Sequence, residues 1–340
     1  MKELGVMILG TGWVSGEHIR AFEMNPHSRV TAIVARDVEK AKAKAAEYNL
    51  RDVACYSDYD EALQDKNVDI VTICTPNAVH ASQTIKAADA GKHILIEKPL
   101  AMTWEDTKAM KAAIDKAGVK TLVGYVLHWN PMFVTMKRLL KEGRLGRLFY
   151  VEADYFHRVD EKYPCYGWTR TIEGGKSSLL AGGCHAVDAL RQFMPGEIDE
   201  VTAYTSGLVR DDFEYPGTLA MLVKFKDGTM GKVGSSYDMI SPYIFNVHLF
   251  GNKGSMINNT LYAPELIEGQ NKYMKIPVTT PDSGDVSHHN FPEEIDHLVD
   301  NIIDGTPCEC DFNHAYVTQQ VVFAGDLSAE TGQPVKLPLV

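Results

Sequence analysis

Val6-Met7-Ile8-Leu9-Gly10-Thr11-Gly12-Trp13-Val14-Ser15 passes from a short apolar run through a glycine turn into a helical pattern. In that setting Gly10 permits the tight turn and Gly12 lets a pyrophosphate approach the backbone. The third small position, here Ser15 in place of glycine, allows close packing of helix on strand. The pattern predicts dinucleotide binding at Gly10, Gly12, Trp13 and Val14.

The rest of the first 125 residues repeats that grammar. Residues 6–9, 30–34, 68–74, 93–96 and 121–123 read as buried strands, and 15–24, 37–48, 78–90 and 104–117 as helices. Apolar strands alternating with helices imply right-handed βαβ units and a parallel sheet covered on both faces. The expected fold class is α/β: an N-terminal doubly wound Rossmann domain at 1–125, followed by a second domain at 126–340.

Beyond residue 146 the pattern changes. Segments 148–156, 201–205, 219–225, 230–236, 245–250 and 255–258 are strand-like, and Lys226-Asp227-Gly228 and Gly251-Asn252-Lys253-Gly254 supply hairpin turns. One helix near 178–193 precedes most of these strands, and helices at 293–303 and 315–329 follow them. This predicts an α+β domain built on a large, mainly antiparallel open sheet. A helix at 131–141 should bridge the two parts. The loop 157–176 is aromatic, with Tyr163, Tyr166 and Trp168, and is suited to lining a substrate pocket.

Composition narrows the function classes. The chain has 340 residues, 45% hydrophobic and 23% charged, with a net charge of −11. That balance, without a basic patch, disfavours nucleic acid and anionic membrane surfaces as partners. Six cysteines without Cys-x-x-Cys pairs suit a reducing compartment. No signal-peptide pattern or membrane-length apolar run is evident, so a cytoplasmic location is expected.

The choice of dinucleotide turns on the end of the second strand. An acid that binds the ribose is expected where Ala35 stands, and Arg36 and Asp37 follow. Arginine there meets a 2′-phosphate or stacks on adenine, which favours NADP with NAD as the alternative. The plainer reading is that Arg36 ends a surface turn.

Lys98 precedes Pro99 at the end of the run His93-Ile94-Leu95-Ile96. The carboxyl ends of strands in doubly wound sheets face the ligand crevice, where an ammonium can orient a hydroxyl or exchange a proton. Downstream, Gly182 and Gly183 precede His185, whose ordinary pKa near neutrality suits a proton carrier.

Taken together, Cys74-Thr75-Pro76-Asn77 with His80, Glu97-Lys98-Pro99-Leu100, Gly124-Tyr125, Asn130-Pro131 and Gly183-Cys184-His185-Ala186-Val187-Asp188 resemble the glucose-fructose oxidoreductase / inositol dehydrogenase / MocA (Gfo/Idh/MocA) family. The resemblance covers nearly the whole chain. It implies hydride transfer between NAD(P) and a secondary alcohol or ketone of a sugar, cyclitol or related polyol. Lys98 and His185 would be catalytic. Thr75, Pro76, Asn77, His80, Glu97 and Lys98 would join Ala35, Arg36 and the glycine turn at the cofactor. Lys98, Tyr125, His157, Trp168, His185 and Asp188 would face the substrate. It also implies a cis Lys98–Pro99 peptide and dimers or tetramers formed through the C-terminal sheet.

One position departs from the resemblance. Many polyol dehydrogenases of this family carry aspartate four residues before the histidine, and that position here is Ala181. Tyr163, Tyr166, His128, His157, His288 and His289 are the candidate substitutes. The departure keeps open a redox-neutral glycosidase or lyase with retained nicotinamide, acting through a transient keto-sugar. A non-catalytic ligand sensor is the third class, disfavoured by retention of Lys98-Pro99 and His185. No metal is expected, because Cys308, Cys310, His288, His289 and His314 match no common zinc spacing.

Overall fold

The computed structural model describes residues 3–281 and 289–339, which form two compact units. The first comprises the residues up to Tyr125 together with Asn290–Tyr316, and the second Val126–His289 with Val317 onward. The first holds six parallel strands: β1 (Leu4–Leu9), β2 (Ser28–Val34), β3 (Ala54–Tyr56), β4 (Ile70–Ile73), β5 (His93–Ile96) and β6 (Thr121–Val123). Their order is β3-β2-β1-β4-β5-β6, with the switch point between β1 and β4. Val6, Met7, Ile8, Ile70, Val71, Ile94 and Leu95 are wholly buried, which explains the near-continuous apolar runs. The short strand β3 is only half-buried, so its sequence carries too little pattern to predict it.

The helices end where local chemistry dictates. Thr103 caps the helix Trp104–Ala117 by accepting from the Asp106 N–H, and Gly118, at φ 66°, closes it in the left-handed region. Asp37 likewise caps Val38–Glu47.

The segment Asn290–Tyr316 groups with the first unit, whereas the sequence reading assigned it to the second domain. Specific bonds hold it there. Asn25 Nδ2 donates to Asp296 Oδ1 (2.6 Å), the Val123 N–H to Cys310 O (2.9 Å), and the Phe312 N–H to Thr121 Oγ1 (2.9 Å). Phe291 packs edge-on against His18, with ring centroids 5.1 Å apart. An amphipathic pattern shows that a helix packs, without showing on which surface.

The second unit contains β7 (Leu148–Phe156), β8 (Ile198–Thr205), β9 (Thr218–Phe225), β10 (Met230–Ser236), β11 (Ile244–Gly251), β12 (Ser255–Ile257), β13 (Thr260–Tyr262), β14 (Met274–Lys275) and β15 (Val335–Lys336). They form one sheet in the order β14-β13-β12-β11-β7-β10-β9-β8-β15, antiparallel except between β7 and β10. The helix Pro131–Lys141, expected to bridge, falls within this unit. Val151, Ala153, Val223, Val233, Val247 and Leu249 lie on the face covered by the helix Cys184–Phe193, whose Val187 and Leu190 are wholly buried. Each such valine or leucine side chain removed from water contributes about 2 kcal/mol. On the opposite face Thr202, Leu222, Lys232, Glu152 and His248 stand in one row across five strands.

Replacing buried Phe291 by alanine should destabilise the protein by about 3–5 kcal/mol, read as a lower denaturant midpoint. A change below 1 kcal/mol would contradict the assignment of this segment to the packed body of the first unit.

Candidate active site

Leu9, Ile73, Ile96 and Val123 stand side by side across β1, β4, β5 and β6. The chain therefore leaves these strands at one level, at Gly10, Cys74, Glu97 and Gly124. Gly10 has φ +105°, and a Cβ there would lie 2.6 Å from the carbonyl oxygen of Cys74. Only glycine fits that approach. At Gly12 the nearest atom to an added Cβ is 3.9 Å away, so the backbone is open to a ligand. Gly12 begins the helix Trp13–Met24, whose first turn has neither a side-chain cap nor an acidic residue. Its first N–H groups and positive dipole end therefore suit a pyrophosphate. Ser15 is buried and donates to Gly12 O (2.5 Å), while Trp13 is exposed and Val14 half-buried.

At the end of β2, Ala35 is buried and its N–H donates to Tyr56 O (3.1 Å). Arg36 is exposed, and among the described residues no ion pair or hydrogen bond engages it. After β4, Thr75 Oγ1 donates to Gln83 Oε1 (2.5 Å), Pro76 is exposed, and Asn77 is buried. His80 is wholly buried, with Nδ1 2.9 Å from Pro99 O and Nε2 2.8 Å from Thr75 O. It thus ties the exit of β4 to the turn after β5. Burial pushes its pKa down against the pull of the two carbonyls, and a neutral ring can donate to only one of them.

Glu97, the last residue before Lys98, is also buried. Its Oε1 lies 2.7 Å from Nε2 of His18 on the helix Trp13–Met24. Burial alone would raise the pKa of this carboxyl, but the hydrogen bond and charge of His18, with Lys98 and His80 nearby, hold it below the ordinary glutamate value. Lys98 is half-buried, and the Lys98–Pro99 peptide is cis. Tyr125, expected at the substrate, is wholly buried at the end of this unit.

In the second unit His185 is buried at the start of the helix Cys184–Phe193. Its ring lies nearly parallel to that of Tyr155, at 6.2 Å and 20°. The Tyr155 hydroxyl is 3.0 Å from His157 Nδ1. Tyr243 stands edge-on to both Tyr155 (5.7 Å) and His157 (5.2 Å), and Tyr163 edge-on to His157 (4.6 Å). Asp188 Oδ2 is 3.0 Å from His128 Nε2 and accepts from Gln192 Nε2 (2.8 Å), while Oδ1 accepts from Thr318 Oγ1 (3.4 Å). Trp168 is half-buried in the short helix Tyr166–Thr169.

Two family descriptions match the chain: "Oxidoreductase family, NAD-binding Rossmann fold" over residues 4–125, and "GFO/IDH/MocA C-terminal domain" over residues 133–257. The chain belongs to the Gfo/Idh/MocA oxidoreductase family. It is 27% identical over 283 residues to scyllo-inositol 2-dehydrogenase (NAD(+)) of Bacillus subtilis, covering 82% of this chain and 80% of that protein. It is 26% identical over 300 residues to 2,7-anhydro-N-acetylneuraminate hydratase of Escherichia coli, covering 86% and 78%. The solved structure of a levoglucosan dehydrogenase in complex with NADH and levoglucosan shares the fold at TM-score 0.88 and 22% identity, with full coverage of both chains.

Within a Gfo/Idh/MocA member, the site residues expected from sequence sort as follows. The glycine turn, Thr75, Asn77, Glu97 and Lys98 gather at the rim of the parallel sheet. His185 and His157 gather around Tyr155 in the second unit. Asp188, expected at substrate hydroxyls, is 1% exposed, and its carboxylate is engaged by His128, Gln192 and Thr318. The same bonds commit His128. Tyr166 donates to Asp212 Oδ2 (2.6 Å), which leaves Tyr163 and His157 beside Tyr155. His289 lies just before the helix Phe291–Asp304, and His288 is outside the described residues. His18 and Tyr155 escaped the sequence reading. The first looks like one more helical residue, and the second like one more inward position of a strand.

His18→Ala would leave the Glu97 carboxylate buried without its main partner, a loss of about 3 kcal/mol. Because the folded pKa of Glu97 is depressed, the pair's contribution is present above the unfolded carboxyl pKa and is lost as pH falls through the folded value. Urea melts at neutral and acidic pH should therefore separate wild type from His18→Ala at neutrality and bring them together in acid. An equal gap at both would contradict the pairing.

Proposed function

We propose that this protein transfers a hydride between a nicotinamide dinucleotide and a secondary alcohol or ketone of a sugar, cyclitol or related polyol. The observation that carries the reading is Lys98. It stands at the strand-end rim beside Glu97, at the same level as a glycine turn that fits a pyrophosphate. When bound, the nicotinamide supplies the hydride acceptor or donor. Gly10, Gly12 and the first turn of Trp13–Met24 hold the pyrophosphate, and Thr75, Pro76 and Asn77 border the site after β4. The Lys98 ammonium orients the substrate hydroxyl and stabilises negative charge on its oxygen. His185 takes the hydroxyl proton in oxidation and returns it in reduction.

A second reading is favoured by Ala181 and by the similarity to a hydratase: a redox-neutral elimination or hydrolysis through a transient keto-sugar. One screen of sugars, cyclitols and glycosides distinguishes the two, following absorbance at 340 nm and product mass. Steady net change in the nicotinamide supports the dehydrogenase, and product without net change supports the redox-neutral enzyme. Lys98→Ala and His185→Ala should each lower turnover by at least about 100-fold. Full turnover by either variant would remove that residue from the chemistry.

The exposed Arg36, with Ala35 where an acid would repel phosphate, supports NADP as the preferred cofactor. Arg36→Asp should weaken NADP binding about tenfold or more in a fluorescence titration and leave NAD less affected. Unchanged NADP affinity would overturn the preference. The outer sheet face, with Leu222 and Tyr204 exposed, supports a homodimer or homotetramer formed there. The six cysteines are free thiols, which supports a cytoplasmic location. Among the described residues no helix is long and apolar enough to cross a membrane.

A further inference from the structure

Ala181 lies in a π-helical turn, Leu179–Gly183, packed with Val159, Phe213, Tyr215 and Tyr237. The position four residues before His185 is thus set in an aromatic wall. Its neighbour Gly182 is the key to that wall. A Cβ at Gly182 would come within 2.5 Å of the Tyr155 ring and 2.7 Å of the Tyr237 hydroxyl. With no side chain there, Tyr155 reaches across from β7, on the same face as Val151 and Ala153, to lie beside His185.

We propose that Tyr155 is a positioning residue for the reaction proposed above: its ring sets the plane of His185, and its hydroxyl donates to His157 Nδ1, fixing the tautomer with the proton on Nε2. Burial pushes the Tyr155 pKa well above the ordinary phenol value, with Tyr243 and Tyr163 among the neighbours that add to it, so the hydroxyl keeps its proton to donate. A neutral imidazole that accepts at Nδ1 must carry its hydrogen on Nε2. Tyr155 thereby links His185, through its ring, to His157, through its hydroxyl.

The inference rests on the hydride-transfer reading, and its test separates the two. Tyr155→Phe removes one hydroxyl and keeps the ring. Nitrogen-detected NMR of His157 in the whole protein should show the Nε2–H tautomer in wild type and a mixture in Tyr155→Phe. On the substrate found by the screen, kcat should fall about tenfold or more, with the cofactor Kd within about twofold. Full kcat in Tyr155→Phe, or an Nδ1–H tautomer in wild type, overturns the proposal. If wild type turns over no carbohydrate, the hydride-transfer reading falls, and the tautomer still decides whether Tyr155 holds His157. His157→Phe, which keeps a ring and loses both nitrogens, should match the kcat loss of Tyr155→Phe without adding to it in the double variant. Additive losses would show that the two residues do not act as a pair.

Discussion

The 2.7 Å contact between the Glu97 carboxylate and the His18 imidazole joins two elements that the sequence separates by 79 residues. His18 belongs to the helix whose uncapped first turn suits a pyrophosphate, and Glu97 immediately precedes Lys98. Both groups are buried, so the contact is costly to break: an unpaired carboxylate would remain in the sheet rim. Gly124 packs directly over it, with an added Cβ only 3.2 Å from a Glu97 oxygen. The helix, the end of β5 and the end of β6 are thereby held in one arrangement. His80 adds a second tie through Pro99 and Thr75. Lys98 lies between Glu97 and Pro99, both engaged in these contacts, which supports the orienting role proposed for it.

The second unit uses a different device. Its catalytic candidate, His185, is set among aromatic rings, and no carboxylate is placed at position 181. The absence of a side chain at Gly182 lets Tyr155 and Tyr237 close on the turn before the helix Cys184–Phe193. The acidic group that does lie near in sequence, Asp188, spends its hydrogen-bonding capacity on His128, Gln192 and Thr318.

The Rossmann unit was legible in the sequence because its strands are buried on both faces and its glycine turn has a mechanical reason at each small position. The nine-stranded sheet was legible through alternation and hairpin turns, apart from the two- and three-residue strands β13, β14 and β15, which are too short to carry a period. Three features were hidden. The packing of Asn290–Tyr316 with the first unit depends on Asn25, His18, Thr121 and Val123, all far away in sequence. The His18–Glu97 pair joins residues whose local patterns say only helix and strand end. Tyr155 reads as an ordinary inward strand residue until Gly182 shows what it approaches. The partners of Asp188 were hidden for the same reason: a motif names a residue type at a spacing, and only packing shows that its carboxylate meets His128, Gln192 and Thr318.

The central claim, hydride exchange between nicotinamide and a carbohydrate carbon, is tested most directly by isotope tracing. The protein would be incubated with nicotinamide dinucleotide carrying deuterium at C4, in its reduced form, together with the carbohydrate panel, and the products analysed by mass spectrometry and NMR. Deuterium on a carbon of the carbohydrate product, in a position that does not exchange with water, is the predicted result. Product that forms without carbon-bound deuterium on any member, under conditions where the cofactor is bound and exchangeable, would contradict it.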